Sequence, residues 1–198
     1  MVEAMNFCTK CGSAQLERKI PRGDNMPRYV CTQCEEIYYH NPKMVVGCIA
    51  QWEDQVLLVK RAIEPRAGYW TLPAGYMENG ETAGEGAARE AREEALADTQ
   101  IGMLYTHFSI PHISQVYLIY LANLTGPNFG VGEESTDAAL FSEREIPWND
   151  LAFTVMRKTL ELYFDDRRAG RYRCHSGDIT YAANDRSNPP RFRIASTP

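Results

Sequence analysis

Two C-x2-C pairs near the N-terminus restrict this chain more than any other feature. Cys8 and Cys11 form the first pair and Cys31 and Cys34 the second, with nineteen residues between them. Each pair presents two sulfurs from one side of a turn, so four thiolates can close a tetrahedral zinc site. The competing reading is two disulfides. The first residues, Met-Val-Glu-Ala-Met-Asn-Phe-Cys, show neither the basic start nor the apolar stretch of a secretory signal. Without secretion, disulfides are rare, and one structural zinc ion is the expectation. A module of about forty residues buries too little surface to fold unaided, so the metal is expected to supply the missing stability. Gly12-Ser13 and Glu35-Glu36 are turn-prone, and residues 15–20 and 28–30 suit short strands. Cys48 and Cys174 are isolated and read as small packing residues.

The chain has 198 residues, room for one sizeable core beyond the cysteine module. No apolar run approaches the roughly 20 residues of a membrane span, and the longest, 116–122, is strand-sized. The chain therefore reads as soluble and cytoplasmic. Strands are expected at 44–51, 56–59, 70–72, 102–108 and 115–124, with an edge strand at 138–141. Residues 63–69 and 129–136 read as loops. Apolar positions 155, 156, 160, 163 and 164 have helical spacing and predict a helix over 154–168. The tail from 182 is polar and expected to be loosely ordered. The predicted organisation is a ribbon over 1–42, a domain over 43–170 and a partly disordered extension over 171–198.

Net charge is −5, from 21 basic and 26 acidic residues, which does not favour general nucleic-acid binding. Residues 75–97 hold six glutamates against two arginines. A cluster this dense either faces solvent or holds a cation. Thr82 opens a helix there, and Glu85 three residues on completes a T-x-x-E capping box. Gly84, Ala87, Ala88, Ala91 and Ala95 share one small-residue face that can lie close to a sheet. Glu90, Glu93 and Glu94 fall beside it at i, i+3 and i+4. Like charges so spaced repel by about 0.2–0.5 kcal/mol per pair, and a hard cation would offset this. Oxygen ligands suit magnesium or manganese, and the loop before the helix can add the backbone carbonyl of Ala74 or Gly75. Arg89 is expected to point away from these carboxylates, toward Glu81 and Glu85.

Gly75, Glu81, Arg89, Glu90, Glu93 and Glu94 resemble the Nudix box, G-x5-E-x7-R-E-U-x-E-E-x-G-U. Spacing matches through Glu94. Leu96 then stands where the box has glycine, and Ala97 takes the last aliphatic place. The resemblance implies an α/β fold, a Nudix α/β/α sandwich preceded by a small zinc ribbon. Segments 41–49, 70–81, 110–121, 145–153 and 171–175 resemble the zinc-ribbon Nudix subgroup that includes the plant chloroplast FAD pyrophosphatase and its bacterial relatives. The other ribbon-bearing subgroup, the NADH pyrophosphatases, carries S-Q-P-W-P-F-P. Here the corresponding residues are Ser109-Ile110-Pro111-His112-Ile113-Ser114-Gln115.

The resemblance implies a hydrolase cleaving the diphosphate of a nucleoside diphosphate derivative, FAD or ADP-ribose first. Glu90 and Glu94 are the implied principal metal ligands, with Glu93 joining directly or through water. Glu134 is the implied general base, competing with the reading of an exposed loop carboxylate. Arg61 can reach a phosphate, and Trp70, Tyr76 and Phe108 can stack on a ring, although each also suits packing. No role falls to the four histidines, which lack metal-ligand spacing. The expected partner is a small dinucleotide, with no membrane or nucleic acid, and a homodimer is allowed. The alternatives are an NADH pyrophosphatase-like enzyme and a non-catalytic nucleotide- or nucleic-acid-binding regulator. The complete Arg89-Glu90-Glu93-Glu94 set disfavours the second, as do the five basic and five acidic residues of segment 1–42.

Overall fold

The protein is described by a computed structural model covering residues 5–180 and 191–194. The chain divides into two compact units, Met1–Pro42 and Lys43–Pro198.

In the first unit, β1 (Leu16–Lys19) pairs antiparallel with β2 (Arg28–Cys31), which pairs antiparallel with β3 (Ile37–Tyr38). Both cysteine pairs end in tight turns. Gly12 N–H donates to Cys8 O at 2.9 Å, and Glu35 N–H donates to Cys31 O at 2.9 Å. Both turn residues have positive φ, 74° at Gly12 and 60° at Glu35.

The second unit is built on a mixed sheet. Its strands are β4 (Lys43–Trp52), β5 (Gln55–Arg61), β6 (Trp70–Thr71), β7 (Ala74–Tyr76), β8 (Thr99–Ile110), β9 (Gln115–Leu124), β10 (Ser135–Phe141), β11 (His175–Thr180) and β12 (Arg191–Ile194). The order is β10-β5-β4-β9-β8-β11-β12, with β6 on β5 and β7 on β4. The β4–β9 pair is parallel, from Lys43↔Gln115 through Gln51↔Asn123. Helix α1 (Ala83–Ala95) covers one face and α2 (Thr154–Arg168) belongs to the core of the other.

Successive strand side chains alternate between faces, and the burial follows. Cys48, Ala50, Leu57 and Val59 pack with Ala87, Ala91 and Ala95 of α1. Ile49, Val56 and Leu58 pack with Val155, Met156 and Leu160 of α2. A strand buried on both faces reads as a continuous apolar run, as residues 44–50 do. The expected small face of α1 is rotated: Gly86 is buried and Ala88 only half-buried, because Glu90 and Glu94 also turn inward. Cys48 is a packing residue as expected, whereas Cys174 is exposed.

Helix α1 has the predicted capping box. Glu85 N–H donates to Thr82 Oγ1 at 3.3 Å, and Thr82 N–H donates to Glu85 Oε2 at 2.8 Å. Leu96 ends it with φ 48° and ψ 30°, the left-handed conformation that glycine adopts without strain. Its side chain is largely exposed. Leu96→Gly is therefore expected to raise the melting temperature by about 1–3 °C, as removed strain of about 1–2 kcal/mol is partly offset by glycine's backbone entropy. Thermal denaturation checks this, and a fall of several degrees would show that the exposed leucine contributes more than its strain costs.

Beyond residue 170 the sheet continues. Strand β11 pairs parallel with β8, from His175↔Thr106 to Asp178↔Ser109, and β12 pairs antiparallel with β11. His175 is buried, its Nε2 2.8 Å from Asp166 Oδ2, which also accepts from the Tyr105 hydroxyl at 3.2 Å. This network ties the segment after α2 to the core. The loose tail expected from 182 lies outside the described residues except for β12. Among the described residues, no helix is long and apolar enough to cross a membrane.

Candidate active site

The loop entering α1 runs as β7 along β4, in register Val45↔Tyr76, Val46↔Gly75 and Gly47↔Ala74. This lays its backbone against the inward carboxylates of the helix. A Cβ on Gly75 would lie 2.5 Å from both carboxylate oxygens of Glu90, so glycine lets β7 approach that carboxylate without displacing it. Ala74 N–H donates to Glu94 Oε2 at 3.0 Å. Glu90 and Glu94 are 7% and 6% exposed. Burial raises both pKa values, that of Glu94 to about 8. The Glu90 and Glu134 charges add to the rise at Glu94, and Arg61 opposes it.

Arg89 pairs with Glu81 as expected, and Glu85 is occupied by the capping box. Arg89 departs from expectation in reaching Glu90 and Glu93 rather than pointing away from them. Its Nε donates to Glu81 Oε2 at 3.0 Å and its Nη2 to Glu81 Oε1 at 2.9 Å. Nη1 reaches Glu90 Oε1 and Glu93 Oε2, both at 2.8 Å, and Nη2 also donates to Tyr76 O at 3.1 Å. The guanidinium thus ties α1 to the preceding loop and to β7. It also holds Glu81 down at about 2. Glu93 is mostly exposed and engaged by Arg89, so the three carboxylates do not converge as the cysteine sulfurs do.

These groups open onto a cavity of about 1040 Å³. Its walls include Gly75, Glu90, Glu93, Glu94 and Glu134, and Arg61 beside them. Arg61 Nε donates to Pro65 O at 2.9 Å, with its guanidinium 5.3 Å from the Phe153 ring centre. The rest of the wall is largely apolar, with Val45, Ile63, Ile113, Tyr117, Phe153 and Met156. Such a cavity, apolar with a few convergent charges, is the usual form of a small-molecule site.

The proposed ring-stacking residues separate. Tyr76 lines the cavity, its hydroxyl accepting from Gln115 Nε2 at 3.0 Å and its ring facing Lys43 Nζ at 4.9 Å. Trp70 does not line it: its ring packs edge-on against Phe141 at 5.0 Å, drawn there by the pairing of β6 with β5. Phe108 is fully buried in the core. Sequence reasoning missed the apolar wall, since Ile63, Ile113 and Phe153 come from three separate loops. Tyr117 had one signal, its alternation along β9.

In the ribbon, the ligand atoms of Cys8, Cys11, Cys31 and Cys34 all lie within 4.8 Å of one another. Sulfur separations are 3.5 Å for Cys8–Cys34 and 3.6 Å for Cys11–Cys31. A regular tetrahedron with Zn–S bonds of about 2.3 Å has edges of about 3.8 Å, so the four sulfurs fit zinc. The Tyr38 hydroxyl, 3.0 Å from Cys8 Sγ, lowers the pKa of that thiol, while those of Cys11 and Cys34 beside it are raised.

The solved structure of a NUDIX hydrolase from Nitrosomonas europaea shares 51% identity with a TM-score of 0.86, covering 89% of this chain and 100% of its own. An ADP-ribose pyrophosphatase of Methanocaldococcus jannaschii is 27% identical over 71% of this chain and 82% of its own length. An NAD-capped RNA hydrolase NudC of Vibrio atlanticus is 26% identical over 85% of this chain, which spans 61% of that relative. The family model described as "Nudix N-terminal", a zinc ribbon, matches residues 6–40. The model described as "NUDIX domain" matches residues 41–163, more than half of the sequence, and on that match the chain belongs to the Nudix hydrolase family.

Proposed function

We propose that this protein hydrolyses the diphosphate bond of FAD, giving FMN and AMP, and of ADP-ribose, with NADH a poorer substrate. The observation that carries the reading is the buried Glu90–Glu94 pair, pressed against the backbone of β7 at the floor of a large cavity. Arg89 compensates Glu90, but Glu94 is met only by the Ala74 N–H, and a desolvated carboxylate is costly to ionise unless a cation joins it. A magnesium or manganese ion would neutralise the diphosphate and acidify the attacking water. Glu90 and Glu94 would hold that ion with the carbonyl of Ala74 or Gly75, and Glu93 would join them by leaving Arg89 or through water. Arg61 would pair with phosphate oxygens. Glu134 would take the proton as the water oxygen bonds to phosphorus and the P–O–P bond breaks. Zinc would be held by Cys8, Cys11, Cys31 and Cys34, with no coordination position left for water.

The wall formed by Ile113 and Gln115 lies where the NADH-specific motif would stand, and its absence favours FAD and ADP-ribose. The similarity to an ADP-ribose pyrophosphatase supports the second substrate. The similarity to NudC proteins keeps NADH in the series. One stacked ring contributes about 0.5–1.5 kcal/mol, roughly a tenfold preference, so overlapping activities are expected. Steady-state rates for FAD, ADP-ribose and NADH at one magnesium concentration, with products identified, test this. NADH leading by a hundredfold would overturn the substrate order, and no cleavage of any of the three would overturn the activity.

A further inference from the structure

We infer that Gly132 is a positioning residue for Glu134, because it lets the segment before β10 lie directly on the last turn of α1. This rests on the reading of Glu134 as the base. The last carbonyls of a helix lack intrahelical partners, and here the segment supplies two. Gly130 N–H donates to Ala95 O at 2.7 Å, and Gly132 N–H donates to Glu94 O at 3.1 Å. A Cβ on Gly132 would lie 1.7 Å from Glu93 O and 2.8 Å from the Glu93 carbonyl carbon. Those are backbone atoms and cannot move aside as a side chain can. At Gly130 a Cβ would meet only the end of the Leu96 side chain, at 3.1 Å.

The other end of the segment is also held. Glu134 O accepts from Ala62 N–H at 2.8 Å, and Ser135 begins β10 opposite Arg61. Glu134 is therefore suspended between the helix that carries Glu90, Glu93 and Glu94 and the strand that carries Arg61. A backbone-on-backbone contact at Gly132 sets one side of that span. Adding a methyl there must lift the segment by an ångström or more, and misplacement by about 1 Å can cost about 10²-fold in rate.

A double-mutant cycle on the full, zinc-loaded chain tests this with ADP-ribose and magnesium. Gly132→Ala is expected to lower kcat about 10- to 100-fold with KM little changed. In a Glu134→Gln background it should lower kcat no further. Gly126→Ala, where a methyl meets open space, controls for glycine replacement and should leave kcat unchanged. Should Gly132→Ala fail to fold, Val131→Gly loosens the same segment without a new Cβ and should show the same dependence on Glu134, with a smaller loss. An equal loss with and without the Glu134 carboxylate would overturn the inference, since the glycine would then support the helix alone. If Glu134→Gln itself costs nothing, the base assignment falls and the inference falls with it.

Discussion

Replacing Glu94 by glutamine is expected to lower kcat/KM at least about 10²-fold at saturating magnesium, a loss of about 2.7 kcal/mol of transition-state stabilisation. The same change should raise the melting temperature in magnesium-free buffer. The two effects have one cause. Burial pushes Glu94 from 4.5 up to about 8, with the Glu90 and Glu134 charges contributing. The folded protein therefore binds this proton more tightly than the unfolded chain. The stability associated with the neutral form is complete below pH 4.5 and is lost as pH rises through about 8. Each tenfold gain in proton affinity on folding corresponds to about 1.36 kcal/mol, so at pH 8 the metal-free wild type should be less stable than Glu94→Gln by a few kcal/mol. Glutamine keeps the volume and can accept the Ala74 N–H through its amide oxygen, but carries no charge for a cation. Melting curves across pH 5–9, without chelator so that zinc stays in place, check the stability effect. Near wild-type turnover at saturating magnesium would refute the role of Glu94.

Cys31→Ser should have a comparably large but separate effect. Cys31 is fully buried and lies on β2, the middle strand of the ribbon. Structural zinc supplies about 10–16 kcal/mol of apparent binding free energy in peptides of this kind, far beyond what three short strands can provide. Zinc content should fall from about one per chain to near zero, and protease should cut within residues 6–40. The cavity is lined by residues of the second unit alone, so hydrolysis of a small substrate should survive within about threefold. Cysteines found disulfide-linked in the native wild type would refute the zinc assignment, and loss of activity in Cys31→Ser would show that the ribbon contributes to the chemistry.

Much of this arrangement is legible in the sequence because its signals are local. The T-x-x-E cap, the C-x2-C turns and the apolar runs of residues 44–51 and 56–59 each depend on neighbours a few positions away. The failures have tertiary causes. Residues 74–76 form a strand although Pro73 and Gly75 discourage one, because β4 supplies the register. Helical spacing sends Arg89 away from the acidic patch, yet one guanidinium has enough donors to serve Glu81, Glu90 and Glu93 together. Gly86 and the two inward glutamates escape an apolar-face reading because a helix that buries carboxylates breaks the rule that reading relies on. Trp70 and Tyr76 cannot be separated by residue type, since strand pairing alone sends one to the core and the other to the cavity. His175 finds Asp166 through the return of the chain after α2, which no spacing announces.

The proposed seat of a divalent cation at Glu90 and Glu94 can be tested without any substrate, by manganese titration followed through the six-line electron paramagnetic resonance signal of the free ion. The wild type should deplete the free signal until its sites fill, and Glu94→Gln should leave it near that of buffer at the same protein concentration. Equal depletion by both proteins would contradict this seat, because the cation would then be held somewhere other than at these two carboxylates.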